Sequence, residues 1–258
     1  MPEGLEVEIY RRAAEPLVGR TIARMVVDER IAGPGVLEAS TAELIGAAVV
    51  GVRRIGKLLL VDTDGPTVGV HFGMTGRIVV DHIAPIGQLE YGSGRDRPEW
   101  DRLRIDLADG GSARVNDPRR WARVTLDPDT TALGPDLLAL DLAELRGAVS
   151  GRFRPIKSVL LDQHLVAGLG NLCADEVLWH AGIAPTRIAC HLTAHEIEAL
   201  HDVITSRLPE MLLLGGSHRG TVSPELRAAM PVCPIDGAPL RRGRVAGRTT
   251  VWCGRHQA

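Results

Sequence analysis

Cysteine is scarce in this 258-residue chain. Its four cysteines, Cys173, Cys190, Cys233 and Cys253, are too few and too scattered for a disulfide framework, so a reducing cytoplasm is expected. Long apolar runs are missing as well. None reaches membrane-spanning length, no signal peptide is expected ahead of the fold, and no membrane partner is expected. No internal repeat or low-complexity segment is apparent. Acidic residues stop at Asp236, whereas Arg241, Arg242, Arg244, Arg248 and Arg255 all follow it. The net charge of −2 offers nucleic acid no overall attraction, but such a tail is a local electrostatic footprint for phosphate.

What is present suits a globular protein. A hydrophobic content of 45% supports a real core, and the length allows two domains. Val7, Tyr10, Ala14 and Leu17 recur at helical spacing, and Pro16 limits that helix. Short β-branched runs follow at 21–28, 47–52, 57–62, 67–71 and 77–80, separated by turn residues. Residues 102–107 alternate up to Asp109-Gly110-Gly111, and Ala113, Val115 and Val124 continue the return. This half reads as an antiparallel sandwich with one helix, over 1–126.

Beyond residue 130 the texture is helical, with helices expected over 137–145, 156–162 and 174–181. Thr193-Ala194-His195-Glu196 is a capping box that opens another, with Ile197, Leu200, Ile204, Leu208 and Met211 on its apolar face. Gly215-Gly216 ends it, and 215–230 is expected to be a loop. The fold class is therefore α+β, with a helical domain over 130–215 and a small terminal module over 230–258.

Three stretches carry chemistry. Removal of Met1 would leave the secondary amine of Pro2 at the chain start, beside Glu3, Glu6 and Glu8. An α-amino group titrates near pH ~8, well below lysine at ~10.4, so it is nucleophilic near neutrality. An amine beside a carboxylic acid is a minimum kit for Schiff-base chemistry. The turn Gly168-Leu169-Gly170-Asn171 lets backbone approach a ligand ahead of a helix N-terminus. Cys233-x2-Asp236 and Cys253-x2-His256 have the two-knuckle spacing of a structural tetrahedral zinc site, one ion per chain, around an Arg-rich hairpin. Asp117-Pro118-Arg119-Arg120-Trp121 pairs arginines with an aromatic, which suits phosphate contact and insertion into a base stack.

Taken in order, these motifs resemble the formamidopyrimidine-DNA glycosylase and endonuclease VIII family of base-excision repair enzymes. The likeness covers nearly the whole chain. It runs through Pro2-Glu3, Lys57, His71-x-Gly-Met-Thr-Gly, Asp117 to Trp121, Ile156-Lys157, Val166 to Asn171 and Gly247-Arg248-Thr249. It implies a β-sandwich domain, a helix–two-turn–helix domain and a β-hairpin zinc finger, with damaged double-stranded DNA in the cleft between domains.

By the same resemblance Pro2 attacks C1′ of the damaged nucleoside and Glu3 is its acid/base partner. Lys57 holds phosphate and assists β-elimination, while Arg248 binds the lesion phosphate and assists δ-elimination. Lys157 and Asn171 are backbone contacts, and Gly170 and Arg120 also bind DNA. Met74, Arg119 and Trp121 fill the gap left by the everted base. A monomer acting on nucleoid DNA is expected.

The chain departs from the family pattern at Asp236 and His256, where cysteines are usual, and at Trp100, where a DNA-contacting histidine is usual. It is also short between Gly215 and Pro231, where the family's loop over the everted 8-oxoguanine lies. Oxidised pyrimidines, ring-opened bases, bulky alkylated bases and bare abasic sites all stay open as substrates. So does a non-catalytic binder of abasic or distorted DNA on the same scaffold.

Overall fold

The computed structural model describes residues 1–33, 36, 41–89, 92, 94–229 and 232–257. The chain divides into two compact units, Met1–Pro2 with Glu6–Thr131 and Glu3–Leu5 with Ala132–Ala258.

Helix α1 (Gly4–Ala14) opens the chain. Glu6 in its first turn and Arg11 and Arg12 in its last complement the helix dipole. Pro16 turns its end into a 3₁₀ turn, Glu15–Leu17, as the restriction on residues before proline requires. Eight strands follow: β1 (Ile22–Val27), β2 (Val49–Ile55), β3 (Leu58–Thr63), β4 (Val68–His71), β5 (Arg77–Val80), β6 (Asp101–Leu107), β7 (Ser112–Asn116) and β8 (Arg123–Leu126). They form two antiparallel four-stranded sheets, ordered β1-β6-β7-β5 and β2-β3-β4-β8. Their inner faces and α1 share one core, in which the Tyr10 and Phe72 rings meet at 4.6 Å. Burying apolar side chains of this size is worth about 1.5–3 kcal/mol each, which makes the sandwich the stable solution for these alternating strands.

In the second unit α2 (Leu142–Val149), α3 (Ile156–Leu160), α4 (Asn171–His180) and α5 (Ala194–Leu214) precede a hairpin of β9 (Leu240–Val245) and β10 (Arg248–Cys253). The hairpin turns at Ala246-Gly247, both at positive φ, as a two-residue I′ turn demands. The helix expected over 137–145 begins only at Leu142, because Asp141 and Glu144 form a capping box that sets its start. The stretch expected to be a loop over 215–230 is not all loop. It contains a 3₁₀ turn at Ser217–Arg219 and a short helix α6 (Pro224–Ala229), with proline at the helix start, where its missing N–H costs nothing. Met230 and Pro231, at the end of that stretch, lie outside the described residues. Among the described residues no helix is long and apolar enough to cross a membrane.

Candidate functional site

Helix α4 has no N-cap side chain of its own, since Gly170 precedes it. Glu3 takes that place from far along the chain. Its carboxylate, 2% exposed, accepts N–H bonds from Gly170 (3.0 Å), Leu172 (2.8 Å) and Cys173 (3.0 Å). These are amides that a helix start leaves without internal partners, and the dipole favours a negative charge there. The seat admits no side chain at position 170, where a Cβ would run into the Glu3 carboxyl carbon. Gly4 N donates to Gly168 O at 2.9 Å and fixes the next residue along. The acidic residues of the chain start therefore have different surroundings. Glu3 caps α4, whereas Glu8 is held by Arg11, Arg12 and Arg54. Pro2 is buried beside Glu3 in sequence.

The hairpin carrying Arg248 packs on the same helix. Arg248 is exposed at the start of β10, directly after the turn. Asn171 donates through Nδ2 to Thr249 O at 3.2 Å. Lys157, expected to contact DNA, is fully buried. Its Nζ lies 2.6 Å from Asp175 Oδ1 and donates to Thr250 Oγ1 at 2.6 Å. Burial pushes the ammonium of Lys157 below the ordinary lysine value and the carboxyl of Asp175 above its own, each opposed by the partner's charge. Arg227, on α6, completes this group with a 2.5 Å bond to Asp175 Oδ2. Nothing in the sequence marked Asp175 or Arg227, because their pairing spans 52 residues.

In the first unit the expected gap-filling residues come together. Asp117, fully buried, accepts N–H bonds from Arg119 (3.1 Å), Trp121 (2.7 Å) and Ala122 (2.8 Å), and the hydroxyl of Thr75. One carboxylate thus ties the Met74-Thr75 turn to the Arg119–Trp121 loop. Gly73, at φ 60°, lies against the Trp121 backbone, where a Cβ would overlap. Arg119 and Trp121 stay exposed, with the guanidinium 5.6 Å from the ring centroid. Arg120 is engaged elsewhere, with Nε 3.0 Å from Asp28 Oδ2. Lys57 sits half-buried in the β2–β3 turn, next to Leu58, which pairs with His71 at the end of β4. Trp100 lies under the Arg97 guanidinium at 5.2 Å, and its carbonyl accepts from Asp117 N.

Of the four expected metal ligands, Cys233, Asp236 and Cys253 bring their ligand atoms within 4.8 Å of one another. The His256 ring falls outside that group. It packs edge-on against Trp179 at 4.8 Å, its backbone N–H donates to Cys253 Sγ, and its buried Nδ1 has no hydrogen-bond partner among the described residues. Arg255 pairs with Asp236 at 3.2 Å. Two thiols and a carboxylate so gathered, with an unpartnered buried imidazole nitrogen close by in sequence, are a donor set that fits zinc.

Fold and site together define a protein with a β-sandwich and a helical unit in which Glu3 caps helix α4 and a β-hairpin packs on that helix. Family models agree: the formamidopyrimidine-DNA glycosylase N-terminal domain matches residues 1–124, and the H2TH domain of the same glycosylase matches 131–223. A formamidopyrimidine-DNA glycosylase of Ruegeria pomeroyi is 36% identical over 84% of this chain and 80% of its own length. One from Rhodospirillum rubrum is 35% identical over the whole of both chains. Among solved structures, the Lactococcus lactis protein bound to abasic-site DNA has a TM-score of 0.82 at 30% identity over 99% of each chain. Its complex with DNA containing an oxidised pyrimidine has a TM-score of 0.82 at 29% identity over the same share of each. The chain belongs to the formamidopyrimidine-DNA glycosylase family.

Proposed function

We propose that this protein is a bifunctional DNA glycosylase and abasic-site lyase that excises a damaged base from double-stranded DNA through a Schiff base on Pro2. The observation that carries the reading is the seat of Glu3: a buried carboxylate, oriented by three backbone N–H groups, next in sequence to the only residue that offers a secondary amine once Met1 is removed. Pro2 N forms a bond to C1′ of the everted nucleoside as the glycosidic bond breaks, and the base leaves with that electron pair and a proton. Glu3 gives a proton to O4′ as the C1′–O4′ bond breaks, which opens the sugar and leaves the iminium between Pro2 N and C1′. Loss of a C2′ proton then expels the 3′ phosphate, loss of a C4′ proton expels the 5′ phosphate in the second elimination, and water releases the unsaturated sugar fragment from Pro2.

Lys57 supplies a cation for phosphate and for the first elimination, and Arg248 binds the lesion phosphate and assists the second elimination. Asn171 and Gly170 serve the DNA backbone, and Arg120 adds the weakest contact of the set, since its guanidinium is already paired with Asp28. Met74, Arg119 and Trp121 occupy the space vacated by the base. Lys157, with its ammonium shared between Asp175 and Thr250, serves the backbone through those partners. Zinc held by Cys233, Asp236 and Cys253, with His256 turning in as fourth ligand, would brace the hairpin. Solved complexes of the Lactococcus lactis relative contain abasic-site, oxidised-pyrimidine and Fapy-dG DNA, and these lesion classes are proposed for this chain. The protein acts as a monomer on nucleoid DNA in the cytoplasm.

Borohydride trapping on abasic-site DNA tests the reading. A covalent adduct that maps to Pro2 is expected. Binding without any adduct would replace the enzyme by a binder of abasic or distorted DNA.

A further inference from the structure

Asp175 holds two cations, Lys157 and Arg227, whose hydrogen bonds lead to β10. Through Oδ1 it pairs with Lys157, whose Nζ donates to Thr250 Oγ1, and that hydroxyl donates to the carbonyl of Arg248 at 3.2 Å. Through Oδ2 it pairs with Arg227, whose Nη1 donates to Thr249 O at 3.5 Å and Nη2 to Asn171 O at 3.3 Å. The Asp175 and Lys157 side chains are 1% and 0% exposed. Removing one member of a buried ionic group leaves its partners uncompensated, so such a group is stiff as long as it is whole. Its two branches end on consecutive peptide units of β10, at Arg248 and Thr249. Neither branch touches the Arg248 guanidinium, which is left at the surface.

We propose that Asp175 and Arg227 are positioning residues for Arg248, a reading that rests on the assignment of Arg248 to the lesion phosphate. The carboxylate on α4 divides two cations between the Arg248 and Thr249 carbonyls, so the backbone beneath the arginine is held from two sides. Arg227 adds the short helix α6 to this clamp, and Val222 O accepts from its Nε at 3.2 Å. The segment between α5 and the hairpin is thereby tied to the phosphate-binding tip.

Hydrogen exchange on the DNA-free full-length protein tests the clamp directly. In Arg227→Gln, amides of 240–253 are expected to exchange about tenfold faster while those of the β-sandwich keep their wild-type rates. Thr250→Val, which removes only the hydroxyl link, should reproduce part of this and serves if an Asp175→Asn protein fails to fold. Unchanged exchange across 240–253 in both Arg227→Gln and Thr250→Val overturns the proposal, whatever the protein does to DNA. The second arm is a mutant cycle with Arg248→Ala, read as affinity for a duplex carrying a stable abasic-site analogue. Arg227→Gln should weaken binding about tenfold alone and less than about twofold in the Arg248→Ala background. Equal losses in both backgrounds overturn the positioning role. A wild-type protein that fails to bind the duplex at all sinks the proposed function instead, and the exchange arm still decides the clamp.

Discussion

Glu3 and Gly170 fit one another so closely that position 170 admits no side chain: Gly170 N donates to the Glu3 carboxylate at 3.0 Å, and a methyl group at 170 would overlap it. A Gly170→Ala protein must push Glu3 out of its seat or open the start of α4. Overpacking of this kind costs about 1–3 kcal/mol. Denaturant unfolding should show that loss, and single-turnover base excision should fall further than affinity for the same duplex. Excision at the wild-type rate with wild-type stability would mean that the seat of Glu3 has no part in the chemistry.

The loop held by Asp117 divides its three large residues by role. The Trp121 ring is exposed and, among the described residues, stacks with the Arg119 guanidinium, so Trp121→Ala should cost about 1–3 kcal/mol of binding to abasic-site duplex, the worth of one stacking platform. Arg119→Ala should also weaken binding to that duplex, because the guanidinium that fills the gap beside Trp121 is lost. Arg120→Ala should change least, because its guanidinium is already committed to Asp28. Titrations at several salt concentrations check all three. An Arg120 effect larger than that of Arg119 would reverse this division.

The finger gives a metal prediction. Metal-replete protein should carry about one zinc per chain, and Cys253→Ser should lose it. His256→Ala separates the three-ligand group seen here from a closed four-ligand site. If the ring turns in, zinc affinity falls about tenfold or more; if water fills the fourth position, affinity is unchanged. Chelation should weaken DNA binding while leaving the β-sandwich folded, measured by circular dichroism alongside elemental analysis.

The strands were readable because period-two alternation and turn residues are local signals, and the observed strands lie within about three residues of those runs; Val124, expected to continue the return strand, instead lies on β8 in the other sheet, because which strand pairs with which is a long-range matter. The long helix α5 was readable from its Thr193 cap and the glycine at its end, φ 111° at Gly215. Where the signal was compositional rather than positional the reading slipped: Leu and Ala over 137–145 suggested helix, but the Asp141 box starts it later. Helix α6 was missed because six residues behind a proline carry too little periodicity. At the site, residue identities were legible and partners were not. The sequence offered no sign that Lys157 faces Asp175, that Asp117 also takes the Thr75 hydroxyl, or that the His256 ring packs on Trp179, since all three depend on long-range folding.

Glu176, next to Asp175 on α4, makes the stability of its unit depend on acid. Burial alone would raise its carboxyl, but hydrogen bonds from His180, Val222 N, Thr221 N and Arg207 outweigh this and bring it to about 2 from an ordinary 4.5. The side chain is 1% exposed, so solvent screens these bonds little. The unfolded chain therefore takes up this proton at a higher pH than the folded one. The linked stability is complete above about pH 4.5 and disappears as pH falls toward 2, an amount on the order of 3 kcal/mol. Urea unfolding at pH 7, 4.5 and 3 should show that decline in the wild type and a flatter one in Glu176→Gln, which starts lower at pH 7. Parallel curves for the two proteins would show that the carboxylate does not bind residues 221 and 222 to α4 as strongly as its hydrogen bonds imply.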